Sequence, residues 1–162
     1  MTRYGSLSQE DFLQQVSDPH VLLVERKSVR DSDSGFLTVK FTKEILAESG
    51  ERKTFVLPVK KREGSNAFAM MITVGRAANN DMVVEHQKIS KFHAYFRNSG
   101  AAWSICDADS RNGTIVDGVQ VPTGQQGLAI QTGSRIKLAK VIDLEFFEPS
   151  ALFDRLQADP SR

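Results

Sequence analysis

Gly75-Arg76, Ser90-Lys91-Phe92-His93 and Ser110-Arg111-Asn112-Gly113-Thr114 lie within one forty-residue window, 75–114. The runs between them alternate apolar and polar side chains, as half-buried strands do. Each segment therefore falls on a strand end or a loop. Together they carry cationic groups, hydroxyls and an amide, the chemistry of anion capture. Between residues 75 and 114 the basic side chains are Arg76, Lys88, Lys91, Arg97 and Arg111, against the acids Asp81, Glu85, Asp107 and Asp109. The excess is slight, but three of the five basic residues fall in these segments, and Lys88 lies two residues before one of them.

Outward from this window the chain reads as short strands and turns. Strands are expected over 21–25, 36–41, 54–59, 69–74, 82–84, 93–97, 102–107, 114–116, 119–121, 128–130, 135–138 and 141–147. Pro58 near the end of 54–59 suggests an edge strand. Asp117-Gly118 is a hairpin dipeptide and predicts pairing of 114–116 with 119–121. Residues 28–35 read as a polar loop, and 42–50 as an ambiguous segment that could form one or two helical turns ending at Gly50. Residues 8–17 predict a short amphipathic helix, capped by Ser8 with Asp11 three residues on, and stopped by Asp18-Pro19. A second short helix is expected over 149–156, with a frayed tail to Arg162. Many short strands with regular turns predict an all-β sandwich of two sheets. The division expected is an extension over 1–53 containing a helix and strands, a sandwich over 54–147, and a short helix and tail over 148–162.

Composition narrows the function. The formal charge of the 162-residue chain is +1, whereas proteins that track a nucleic-acid backbone carry a broad basic surface. Nucleic acid is not expected as a partner. One cysteine, Cys106, rules out an internal disulfide. Its alternating setting, Trp103-Ser104-Ile105-Cys106-Asp107, predicts a buried inert thiol. With no apolar leader and no long apolar run, the expectation is a cytoplasmic protein without a membrane partner. The three histidines, His20, His86 and His93, have unrelated spacings, so neither a metal nor a cofactor is implied. A nucleotide loop, a nucleophile elbow and a complete acid–base constellation are all missing, which argues against an enzyme.

The ordered set Ile72-Thr73-Val74-Gly75-Arg76, Asn80-Asp81, Ser90-Lys91-Phe92-His93, Asp107-Ala108-Asp109-Ser110-Arg111-Asn112-Gly113-Thr114 and Val116-Asp117-Gly118 resembles the forkhead-associated (FHA) domain. The likeness covers about half the chain, within 54–147. It implies a β-sandwich without catalytic activity that binds phosphothreonine peptides through loops at one end. By this resemblance Arg76 and Ser90 contact the phosphate, and Lys91 supplies a second contact. Asn112 clamps the peptide backbone, and Lys88 lies where some members read a residue after the phosphothreonine. Arg111 occupies a variable position that touches phosphate or peptide, or points to solvent. Gly75, His93, Gly113 and Thr114 are structural, with His93 bracing the serine loop rather than acting as a base. The implied partner is a phosphothreonine-containing protein or peptide in a Ser/Thr kinase pathway. The competing expectation is a phosphate-independent assembly protein that uses other faces of the sandwich. Residues 1–53 match no named pattern and are open to docking on the sandwich, dimerising or covering the site.

Overall fold

The computed structural model describes residues 6–26, 38–40, 44–49, 52–100 and 102–158. Helix α1 (Gln9–Gln15) is followed by strands β1 (His20–Arg26), β2 (Thr38–Lys40), β3 (Glu44–Ser49) and β4 (Arg52–Pro58). Then come β5 (Ile72–Gly75), β6 (Met82–Glu85), β7 (Ala94–Asn98), β8 (Trp103–Asp107) and β9 (Thr114–Val116). Strands β10 (Val119–Gln120), β11 (Leu128–Ile130), β12 (Arg135–Leu138) and β13 (Ile142–Phe147) precede helix α2 (Pro149–Gln157). The strands form two sheets, in the orders β10-β9-β12-β13-β1-β4-β3 and β11-β8-β7-β5-β6-β2. Pairing is antiparallel except between β5 and β6, which run parallel.

Alternation along the strands builds the core. In β12 the buried residues are Ile136 and Leu138, while Arg135 and Lys137 face outward. Val21, Leu23, Phe55, Leu144 and Phe146 from one sheet meet Val74, Ala94, Phe96 and Ile105 from the other. Phe146 stacks on Phe96 at 6.3 Å and tilts against Trp103 at 5.9 Å. Cys106 is buried, as its alternating setting implies. A second apolar cluster lies on the other face of the seven-stranded sheet. There Leu22, Val56 and Phe147 are covered by Phe12 and Val16 of the α1 segment and by Leu152 and Leu156 of α2. The α1 cap is as expected, with the Asp11 amide donating to Ser8 Oγ at 3.2 Å. Asp117 and Gly118 both take positive φ, +47° and +83°, as the hairpin joining β9 to β10 requires.

Four expectations change. Glu44–Ser49 is a strand, not a helical turn; it pairs antiparallel with β4 through an irregularity between Ile45 and Ala47. The ladder with β4 outweighs the helix-favouring Glu, Leu and Ala of this segment. Strand β4 is not an edge, because it lies between β1 and β3. Pro58 is tolerated because the β3 register ends at Val56. The strand expected from 69 begins only at Ile72, since tight turns occupy 67–71, where the Ala69 amide donates to Ala67 O and the Met71 amide to Phe68 O. The boundary drawn at 53/54 is not a boundary in the sheets. Strand β1 sits between β13 and β4, so part of the supposed extension is sandwich interior. The polar loop at 28–35, the flanks of the strand expected at 36–41 and the end of the tail lie outside the described residues.

Candidate functional site

Three connections meet at one end of the sandwich: β5 to β6, β6 to β7 and β8 to β9. They are tied by backbone bonds, with the Arg76 amide donating to Ser90 O at 2.9 Å and the Ala77 amide to Lys91 O at 3.1 Å. Asn80 adds a side-chain tie, donating from Nδ2 to Lys91 O at 2.7 Å and to Ala77 O at 2.8 Å. Gly75 is required by this close approach, since a Cβ there would run into the Lys91 carbonyl. Its φ is not the reason.

His93 bridges two of the loops. The Ser90 amide donates to His93 Nδ1 at 3.2 Å, so that nitrogen carries no proton. The ring is then the Nε2–H tautomer and donates to Gly113 O at 2.9 Å. His93 is fully buried. Burial pushes its pKa down, with the Gly113 bond and Asp107 pulling partly the other way. Both ring nitrogens are committed, so His93 is a brace.

The Asn112 loop is shaped from beneath by Asp107, itself buried. Its Oδ1 accepts from Ser110 Oγ at 2.6 Å and Thr114 Oγ1 at 2.7 Å, and its Oδ2 from the Ser110 amide at 3.0 Å. Ser110 Oγ in turn accepts from the Gly113 amide at 3.0 Å. Gly113 has φ +82°, a region that suits glycine. Thr114 and Ser110 thus serve the loop and do not face a ligand. Asp107 is the hub that closes the loop.

Above this scaffold lie the residues expected to contact a ligand. Ser90 Oγ accepts from the Arg111 amide at 3.0 Å, which leaves the hydroxyl proton to donate elsewhere. Asn112 Nδ2 donates to Lys88 O at 2.8 Å, which leaves its carbonyl and second N–H unused. Arg76 donates from Nε to Ile89 O at 3.0 Å. Its terminal nitrogens make no bond among the described residues, and neither do the side-chain nitrogens of Lys88, Lys91 and Arg111. Arg76, Lys88, Lys91 and Arg111 are all exposed and form no ion pair with any described residue. The structure brings all six expected contact residues onto the same loop cluster.

Two features carry roles not assigned from sequence. Asn80 and Asp81 belong to the ordered motif set; both are buried, and the Asn80 amide fastens the loops together. Lys140 lines a groove of about 590 Å³ with Lys88, Arg111, Asn112 and Thr123. It comes from the turn joining β12 to β13, where Ala139 and Lys140 have φ +52° and +60°. The Ala139 amide donates to Gly113 O at 2.9 Å, joining that turn to the Asn112 loop. Nothing near Lys140 in the sequence signals this, because the approach is made by the fold. Among the described residues no cluster of three His, Cys, Asp or Glu is placed to hold a metal ion, and no helix is long and apolar enough to cross a membrane.

The family model for the FHA domain matches residues 72–139, the span that contains all three loops. No curated protein sequence matches the chain. Among solved structures, the fold is similar to the FHA domain of an Arabidopsis thaliana hypothetical protein, with TM-score 0.53 at 16% identity, covering 82% of this chain and 86% of that one. The FHA domain of the CT664 protein from Chlamydia trachomatis gives TM-score 0.48 at 17% identity, covering 80% of this chain and 97% of that one. Mycobacterium tuberculosis EmbR in complex with a low affinity phosphopeptide gives TM-score 0.47 at 18% identity and 80% coverage of this chain. This chain spans 24% of the EmbR chain. With the family model matching residues 72–139 and the two-sheet sandwich shared with a solved FHA domain, the chain carries an FHA domain.

Proposed function

We propose that the loop cluster binds phosphothreonine peptides and recruits phosphorylated partners in cytoplasmic Ser/Thr kinase signalling. FHA domains are phosphothreonine-binding modules, a class of phospho-motif reader. The observation that carries the reading for this chain is the set of four cations on braced loops that form no ion pair with any described residue. A phosphothreonine brings nearly two negative charges and strong acceptor oxygens. Arg76 presents the free edge of its guanidinium, a planar fork suited to phosphate. The Ser90 hydroxyl adds a short donor, and Lys91 a mobile positive charge beside it. Asn112 has one donor and one acceptor left for the peptide backbone, while Lys88 and Arg111 flank it. Because Ser90 and Asn112 are fixed by Arg111 and Lys88, little ordering entropy is lost on binding.

The test is retention of a degenerate phosphothreonine peptide library on the immobilised chain, with the same library unphosphorylated as control. The proposal expects retention that depends on phosphate and weakens with added salt, since exposed charges are screened. Equal retention of both libraries would favour the phosphate-independent assembly reading instead.

A further inference from the structure

The loop 88–92 reaches from Asn112, whose amide holds the Lys88 carbonyl, to Phe68, whose ring lies parallel to Phe92 at 6.1 Å. Phe92 also stacks on Tyr95 at 6.0 Å, and the Arg97 guanidinium sits over the Tyr95 ring at 5.5 Å. The rings thus form a ladder closed at one end by a cation and open at the other. At the open end Phe68 is 52% exposed, Phe92 36% and Met70 75%. Large apolar side chains exposed together mark contact sites more often than isolated ones do.

This patch is held in place at considerable structural expense. Phe68 and Met70 sit on the connection between β4 and β5, which is pegged by Asn66 and Lys61. Asn66 Nδ2 donates to Thr73 Oγ1 at 3.1 Å and to Asn79 O at 2.9 Å, and its Oδ1 accepts from the Phe68 amide at 3.1 Å. Lys61 Nζ donates to Asn66 Oδ1 and Asp81 Oδ2, both at 2.8 Å, and to Met71 O at 3.1 Å. A half-buried polar network of this kind holds one conformation and lowers the ordering cost of presenting the apolar side chains.

We infer that Phe68, Met70 and Phe92 form a docking surface for apolar side chains of the phosphothreonine partner, on the side of the phosphorylated residue away from Asn112. The inference rests on the phosphothreonine reading. Phe92 directly follows Lys91, so a peptide seated on Arg76 and Ser90 meets the patch within a few residues. The three side chains expose about 300 Å² in all, taking about 200 Å² for each. A stable pairing of two proteins covers about 800 Å² on each partner. The patch is too small to hold a second copy of this chain by itself, and it suits two or three side chains already anchored by a phosphate.

The experiment sequences the peptides retained from a library with a fixed phosphothreonine and degenerate flanks. It compares the unaltered chain with the double variant Phe68→Ser, Met70→Ser, neither residue being a phosphate contact. Aromatic or aliphatic residues should be enriched on one flank by the unaltered chain. The variant should keep its dependence on phosphate, lose that enrichment, and bind a selected peptide about tenfold more weakly. Phosphate-dependent retention without apolar enrichment, or enrichment unchanged in the variant, overturns this inference alone. Sedimentation of the unaltered chain as a dimer and of the variant as a monomer assigns the patch to a second copy and overturns it too. Absence of any phosphate-dependent retention by the unaltered chain overturns the phosphothreonine reading and this inference with it.

Discussion

Two groups of cations flank β5, and they differ in what they face. Lys61 and Arg62 converge on the β5–β6 connection from one side. Lys61 spends its three donors on Asn66, Met71 and Asp81. Arg62 donates to Asn80 O from both Nε and Nη2 and to Ala78 O. On the other side Arg76 uses only Nε, and Lys88, Lys91 and Arg111 use no side-chain donor among the described residues. Positive charge alone therefore does not mark a binding site. Cations whose donors are used hold the fold, and cations on rigid loops with donors to spare are available to an anion. The same carboxylate chemistry separates the two groups, because Asp81 is buried against the first and, among the described residues, no acid pairs with the second.

The comparison breaks most readily at Asp81. Burial alone would raise its pKa, but bonds from Lys61, Ser65, Thr73 and Arg62 more than offset this and hold it at about 2. Asp81→Ala leaves the Lys61 ammonium, the Ser65 and Thr73 hydroxyls and two amides without their acceptor. Urea denaturation should show a loss of about 3 kcal/mol. A loss below about 0.5 kcal/mol would mean the network is decorative. The sign with pH follows from the same bond set. Stability from Asp81 is present above its ordinary value of 3.8 and is lost as pH falls through that value towards about 2.

A smaller effect separates the brace from the ligand contacts. His93 has a lowered pKa, so the unfolded chain takes up its proton at higher pH than the folded one. Stability contributed by neutral His93 is therefore present above its ordinary value of 6.5 and drains away as pH falls below it. His20 and His86 shift in the same direction, also chiefly through burial. Thermal denaturation should show Tm falling between about pH 7.5 and about pH 5.5, with a shallower fall for His93→Asn. An identical slope in the variant would show that His93 carries none of this dependence.

The loops were legible because the ordered set from Gly75-Arg76 to Asn112-Gly113 resembles the FHA motif. The structure supplies the local reasons, a close approach at Gly75 and a positive φ at Gly113. The sandwich was legible from alternation in segments such as 103–107 and 142–147. What sequence concealed depends on distant pairing. Glu44–Ser49 carries helix-favouring residues and becomes a strand only because β4 lies beside it. His20–Arg26 looked like part of an extension until its place between β13 and β4 was known. Asp81 and Lys140 act through neighbours brought near by the fold, and neither the Phe68–Phe92 stack nor the Asn80 tie has a periodicity to announce it.

The central claim is that the loop cations read a phosphate. Isothermal titration of one selected phosphothreonine peptide, its unphosphorylated form and the Arg76→Ala variant tests it most directly. The account predicts micromolar-scale binding of the phosphorylated peptide and none measurable without the phosphate. It predicts at least tenfold weaker binding by Arg76→Ala, with stability changed by less than about 1 kcal/mol. Binding by Arg76→Ala as tight as that of the unaltered chain, or equal binding of the unphosphorylated peptide, would contradict it.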